Sequence, residues 1–249
     1  MTALIMIGAA VLPSLILLVY FIFGDRFPEP LGGILGTFFF GVLTVIPVLV
    51  FAAPLTEVLQ PDLLAPIARA ATEGFILAAI PEEAFKLAVL VAFARNLKAF
   101  DEPMDGLVYG VVASLGFATL ENIAYVIGSG DGWLSIAILR ALTAVPAHAT
   151  FGAIMGFYIA RAHFEPARRR SMLFAAYLVP MVLHGLYDLG LLATSYSGDI
   201  AWIVLGLGTL IIAVVWALRL QRRLRREQQA MLAGTAAASL AAGPHELRG

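Results

Sequence analysis

Cysteine is absent from this 249-residue sequence, and charged residues make up only 13% of it. The first absence excludes disulfides, thiolate metal ligands, iron–sulfur clusters and a cysteine nucleophile. The second excludes an ordinary water-soluble globule, in which about a quarter of the residues would be charged. Charge of either sign is not in excess, since the formal net charge is -1, so no nucleic-acid partner is expected. Two hydrolase motifs are also missing. No His-Glu-x-x-His zinc motif occurs, and Ser114, in Ala113-Ser114-Leu115-Gly116, does not fit the Gly-x-Ser-Gly of rhomboid proteases.

What the sequence has in abundance is apolar surface, at 61% of residues, gathered into long runs. A bilayer-spanning helix needs about 20 mostly apolar residues. Seven segments qualify: 2–23, 31–53, 72–94, 105–127, 133–160, 172–193 and 199–218. The predicted fold is therefore all-α, a polytopic membrane helix bundle with about seven transmembrane helices. Segments 24–30 and 54–66, rich in Pro and acidic residues, read as loops. Residues 1–218 form the membrane domain, and 219–249 a basic and then Ala-rich cytoplasmic tail that reads as disordered.

Basic residues set the orientation, because Lys- and Arg-rich loops stay in the cytoplasm. With seven spans, Arg26, Arg95, Lys98, Arg161, Arg168, Arg169, Arg170 and the six arginines from Arg219 onward share one side, and Arg69 stands alone on the other. The N-terminus is expected outside and the C-terminus in the cytoplasm of a bacterial-type cell membrane.

An ionisable side chain at bilayer depth costs about 2.5 to 3.5 kcal/mol on insertion scales, so each needs a reason. The third span holds Glu82, Glu83 and Lys86; the fourth Glu121 and Asn122; the fifth Arg140 and His148; the sixth His184 and Asp188. Lys86 lies one helical turn from both glutamates and can reach either. Asp188 lies one turn from His184 and can fix its tautomer. At 1.5 Å per residue, Glu82, Glu121, His148 and His184 fall roughly 15, 9, 12 and 13 Å from the outer ends of their helices, in one layer. Interhelical glue in membranes is usually Ser, Thr or Asn, which leaves three glutamates and two histidines at one depth for chemistry. Arg140 is expected at the interface, snorkelling. Gly106, Gly110, Ala113 and Gly116 are expected to let helices approach closely.

Gly128-Ser129-Gly130-Asp131 and Tyr187-Asp188 spell the two presenilin-like aspartate motifs, but in reversed order and with Asp131 in a short loop, so that match is set aside. Glu82-Glu83-x-x-Lys86, Phe117-x-x-x-Glu121 and His184-x-x-x-Asp188, in that order with His148 between the last two, resemble the PrsW family of intramembrane proteases. That family lies within the wider superfamily of CAAX-prenyl and bacteriocin-processing proteases. Met104 to Gly110, continuing to Gly116-Phe117-Ala118 and Glu121-Asn122, also looks like the family's fourth-span signature. Lys86 and Glu121 stand where the superfamily usually has Arg and His, which favours the PrsW branch.

The resemblance implies endopeptidase cleavage of a single-pass membrane substrate, of the anti-sigma-factor kind, near the outer face (site-1 type). In residue terms, peptide hydrolysis needs a base for water, an oxyanion partner and an acid for the leaving amine. Glu82 is the expected base with Glu83 paired to Lys86, although the two glutamates could exchange roles. His148 and His184 would polarise the carbonyl or protonate the amine, Asp188 would orient His184, and Glu121 would help hold the water. Asn122 and Phe117 would support the site. No cofactor is the first expectation, because three carboxylates and a lysine crowd a cation. Zinc on His148, His184 and Glu121, with Glu82 activating its water, is the alternative. From another class, a proton-coupled transporter could use the same buried Glu and His residues.

Overall fold

A computed structural model describes residues 2–242, and their side chains from 3 to 234. The chain forms α1 (Thr2–Ile22), α2 (Leu31–Leu43), α3 (Val45–Leu59), α4 (Pro66–Ala71), a π-helical stretch (Thr72–Ala79), α5 (Ile80–Ala92), α6 (Pro103–Gly128), α7 (Trp133–Leu142), α8 (Ala144–Phe164), α9 (Arg169–Ser197) and α10 (Trp202–Ala242). No strand occurs among the described residues, and the expected all-α membrane bundle is borne out.

Among the described residues, six segments are long and apolar enough to cross a membrane: Ala3–Ile22, Leu31–Leu63, Pro103–Gly128, Gly130–Phe164, Pro166–Ser197 and Trp202–Gly234. The expected span at 72–94 lies in the helical run from α4 to α5, where Glu82, Glu83 and Lys86 make the segment more polar. Large apolar side chains point outward from the rim helices, among them Ile16 on α1, Leu49 on α3 and Ile211 on α10. In water such a belt would be a liability; in hydrocarbon it is the surface the solvent prefers.

Helices α6 and α8 form the buried axis, and glycines allow them to meet. A Cβ on Gly106 would stand 2.6 Å from the Gly156 carbonyl oxygen, and one on Gly110 would overlap the Gly152 carbonyl oxygen. On another side of α6, a Cβ on Gly116 would strike the Phe38 backbone of α2. The small-residue stripe expected along the fourth span thus brings backbone against backbone.

Two expected spans are broken. Segment 31–53 divides at Thr44, and 133–160 divides at Thr143. Each Thr lies three residues before a proline, Pro47 or Pro146, whose ring would clash with the carbonyl four residues back, on Leu43 or Leu142. Those are the last residues of α2 and α7. Each Thr hydroxyl donates to a carbonyl of the preceding turn, Gly41 at 2.6 Å and Leu139 at 2.7 Å. Before Pro81 the chain solves the same clash by widening: Ile80 N–H bonds the carbonyl of Phe75, five residues back.

Two loop and tail expectations need correction. Helix α3 runs through Pro54 to Leu59. The basic run does not end in disorder: α10 continues to Ala242, with Leu224 and Gln228 buried. Arg161 of α8 holds Glu227 by two hydrogen bonds of 2.7 and 2.9 Å, which fastens this part of α10 to the bundle. The remainder of the expected tail, 243–249, lies outside the described residues.

Candidate active site

Four helices bring the predicted polar residues to one place. Helix α5 begins immediately after the π-helical stretch, and its first turn carries Glu82 and Glu83 with Lys86 one turn on. Lys86 is 1% exposed, Glu83 0% and Glu82 6%, so the ammonium has no water to solvate it and must be satisfied by protein. It donates to Glu83 Oε1 at 2.8 Å and to Glu82 Oε2 at 3.2 Å. Its third contact is His148 Nδ1 on α8, at 3.1 Å, and the Phe117 ring of α6 lies 4.2 Å from it.

The tautomer of His148 follows from these partners. An ammonium can only donate, so Nδ1 accepts and Nε2 carries the proton. That Nε2–H faces Glu121 Oε2 at 3.0 Å. His148 lies just past the first turn of α8, beyond the break at Thr143, and its imidazole faces α6.

His184 of α9 is buried between carboxylates. Its Nδ1 lies 2.9 Å from Glu83 Oε1, and its Nε2 lies 3.2 Å from Asp188 Oδ2 and 3.9 Å from Glu82 Oε2. The expected one-turn pairing with Asp188 is present. The two imidazoles meet edge to face with centroids 5.2 Å apart, and Phe151 stacks on His184 at 5.4 Å. The π-helical stretch supports this side: Gly74 packs so closely on α9 that a Cβ there would stand 3.0 Å from Asp188 Cβ.

Arg140 was expected at the interface and is instead part of this network. Its guanidinium donates to Glu121 Oε2 at 2.5 Å and to Asn122 Oδ1 at 2.8 Å, and it covers the Tyr125 ring at 4.0 Å. Asn122 in turn donates to the Ala10 carbonyl of α1 at 2.6 Å. The signal was present in the sequence: a charge within a span almost always faces a partner. Asp131 of the discarded presenilin-like pair lies in the turn before α7, outside the cluster.

Donor atoms of Glu82, Glu83, His148 and His184 lie within 4.8 Å of one another, and all four residues are buried. Two imidazoles and two carboxylates suit zinc by donor type, and Glu83 Oε2 is buried without a hydrogen-bond partner. The zinc trio expected from the sequence included Glu121. Glu121 is outside this set, with its Oε2 engaged by Arg140 and His148. Lys86 contacts three of the four donor residues.

The apolar bundle with its enclosed Glu, His and Lys centre defines a multi-pass membrane protein. Comparison with known proteins makes this specific. Residues 29–219 match the PrsW family of intramembrane metalloproteases. The chain is 41% identical over 213 residues to a protein named Protease PrsW from Geobacillus kaustophilus, covering 85% of this chain and 88% of that one. A second Protease PrsW, from Bacillus subtilis, is 38% identical over 191 residues, covering 76% and 84%. A third, from Oceanobacillus iheyensis, is 35% identical over 182 residues, covering 73% and 80%. No solved structure matches. The chain belongs to the PrsW family and is an intramembrane protease, as the ordered motifs led us to expect; a proton-coupled transporter is not favoured.

Proposed function

We propose that the chain cleaves a peptide bond of a single-pass membrane protein, in site-1 type processing of an anti-sigma-factor-like substrate, with Glu82 activating the water. The observation that carries this reading is the division of labour around Lys86. Glu83 is fully buried and holds both Lys86 and His184 at under 3 Å, whereas Glu82 takes the longer share of the ammonium and retains some exposure. Glu83 Oε1 is thereby engaged and its Oε2 is sealed from solvent, so Glu82 is the carboxylate left to meet a water.

In this scheme Glu82 takes a proton from water as the oxygen adds to the carbonyl carbon. His184, held at both ring nitrogens by Glu83 and Asp188, hands a proton to the amine as the C–N bond breaks. Lys86 supplies fixed positive charge in a low-dielectric setting where it acts strongly on a developing oxyanion. His148, tied between Lys86 and the Glu121–Arg140 pair, is a positioning residue and keeps the ammonium aimed at the site. The family's metalloprotease character supports a second reading. If zinc binds, His148, His184 and one of Glu82 or Glu83 would hold it, and it would supply a more acidic water.

With the 72–94 segment as a seventh span, the count of basic residues supports an N-terminus outside and a C-terminus in the cytoplasm, with cutting in the outer half of the bilayer. Co-expression with tagged single-pass proteins tests the assignment. A fragment lost in both Glu82→Ala and His184→Ala is expected, and a fragment that persists in both removes the proposal. Exhaustive chelation of the purified protein separates the readings: undiminished cleavage supports the Lys86 centre, and loss restored by zinc alone supports the metal.

A further inference from the structure

At the N-terminal end of α6, sixteen residues before Glu121 and so about 24 Å along the helix, lies a second cluster that peptide hydrolysis does not use. Asp25 and Glu29 come from the loop between α1 and α2, Glu102 and Asp105 from the start of α6, and Gln228 from α10. Their residue exposures are 7%, 9%, 8%, 1% and 1%. One carboxylate oxygen from each of Asp25, Glu29 and Asp105 lies within 4.8 Å of the other two.

Four enclosed carboxylates need positive charge or protons. Among the described residues none of the four is ion-paired with a Lys, Arg or His. Arg225 is nearby but donates to the Gly24 carbonyl oxygen. One oxygen of each central aspartate is already engaged. Asp105 Oδ2 accepts from the backbone N–H groups of Asp101 and Glu102 at 2.8 and 2.7 Å. Asp25 Oδ1 accepts from Phe27 N–H at 3.0 Å and Gln228 Nε2 at 2.7 Å. Tyr109 donates to Glu29 Oε2 at 2.5 Å, and Gln228 also donates to Glu102 Oε1. The opposite oxygens, Asp25 Oδ2 and Asp105 Oδ1, are buried and accept from no N–H or O–H donor, and the same is true of Gln228 Oε1; the Asp105 and Glu29 carboxyl groups are within hydrogen-bonding reach of each other. Burial, reinforced by the neighbouring Asp25 charge, lifts Glu29 and Glu102 above the usual carboxylate range.

We propose that Asp25, Glu29 and Asp105 form a site for a hard divalent cation, of the magnesium or calcium class, distinct from the proteolytic centre. An all-oxygen donor set selects such ions and gives a zinc-like ion no imidazole or thiolate. The unpaired aspartate oxygens are the ligands left free by the surrounding hydrogen bonds, and Gln228 holds Asp25 and Glu102 through its amide nitrogen. The ion would join three parts of the chain: the α1–α2 loop, the start of α6, and α10 through Gln228. It would therefore hold the polar end of α10 on the bundle.

The test uses the purified full chain in neutral phosphatidylcholine nanodiscs, with Mn2+ as an electron-paramagnetic-resonance probe. The expected result is a Mn2+ site competed by Mg2+ or Ca2+, weakened about tenfold or more in Asp25→Asn because ligand charge sets affinity at such sites, and unchanged in Glu82→Gln. In chelator, Asp25→Asn should melt no lower than the parent, since it removes repulsion, and it should lose the parent's stabilisation by Mg2+. If Asp105→Asn fails to fold because it caps α6, Asp25→Asn and Glu29→Gln decide. The proposal is overturned if Mn2+ does not bind at millimolar concentration, if it binds the Asp25 variant as tightly as the parent, or if the site vanishes in Glu82→Gln. It is equally overturned if the parent's stability ignores Mg2+ and follows pH alone, which would mean that the carboxylates share protons.

Discussion

Replacing Gly110 with alanine links packing to catalysis through a displacement that can be worked out in advance. The added Cβ would stand 2.8 Å from the Gly156 Cα and nearer still to the Gly152 carbonyl oxygen, whereas ordinary contact begins at 3.4 Å. Relieving the Gly156 contact alone, from 2.8 to 3.4 Å, parts helices α6 and α8 by about 0.6 Å, and the closer Gly152 carbonyl oxygen demands more. The same two helices carry Glu121 and His148, joined at 3.0 Å, so a parting of this size carries the bond past hydrogen-bonding range. Overpacking of this kind costs about 1–3 kcal/mol, and a misplacement near 1 Å can cost about 100-fold in rate. We expect Gly110→Ala to lower the melting temperature in detergent and to reduce substrate cleavage by about 10- to 100-fold. Gly8→Ala is the control: nothing lies within 4 Å of its added Cβ, so the better helix propensity of alanine should leave stability equal or improved. A Gly110→Ala protein as stable and active as its parent would refute the backbone-to-backbone contact and the coupling drawn from it.

Three further outcomes follow from named contacts. Arg140→Met leaves Glu121 with only His148 and should cost about 3 kcal/mol, whereas adding Glu121→Met should recover part of it; a melting-temperature cycle that shows no recovery contradicts the pairing. Asn122→Leu removes the hydrogen bond to the Ala10 carbonyl and should destabilise by about 1–2 kcal/mol, with protease sensitivity in α1 rising before that of α8. Arg161→Met breaks the tie to Glu227 and should expose α10 beyond Leu218 to limited proteolysis, while cleavage of substrate changes less than in Arg140→Met.

Much of this site was legible because membranes make polar residues conspicuous. Glu82, Glu83, Lys86, Glu121, His148, His184 and Asp188 stand out against apolar runs, and one-turn spacing already paired Lys86 with the glutamates and His184 with Asp188. The same contrast should have recruited Arg140, whose partner one helix away has no local sequence mark. The helix breaks had a signal that is easily overlooked, a threonine three residues before Pro47 and Pro146. The π-helical register before Pro81 had less, since a proline clash can be relieved by a break or by widening, and the choice depends on what packs alongside. The Asp25, Glu29 and Asp105 cluster was hidden for another reason: acidic residues next to a loop are ordinary until α10 folds over them. Reading the tail as disordered removed the element that buries the cluster.

Glu82 carries the proposed chemistry. Purified parent and Glu82→Gln proteins, each with a matched melting profile and reconstituted in vesicles with a purified single-pass substrate, should be compared for the rate of fragment release. Loss of a general base predicts a decrease of about 100- to 10,000-fold in the variant. Fragment release at the parental rate from a folded Glu82→Gln protein would contradict it.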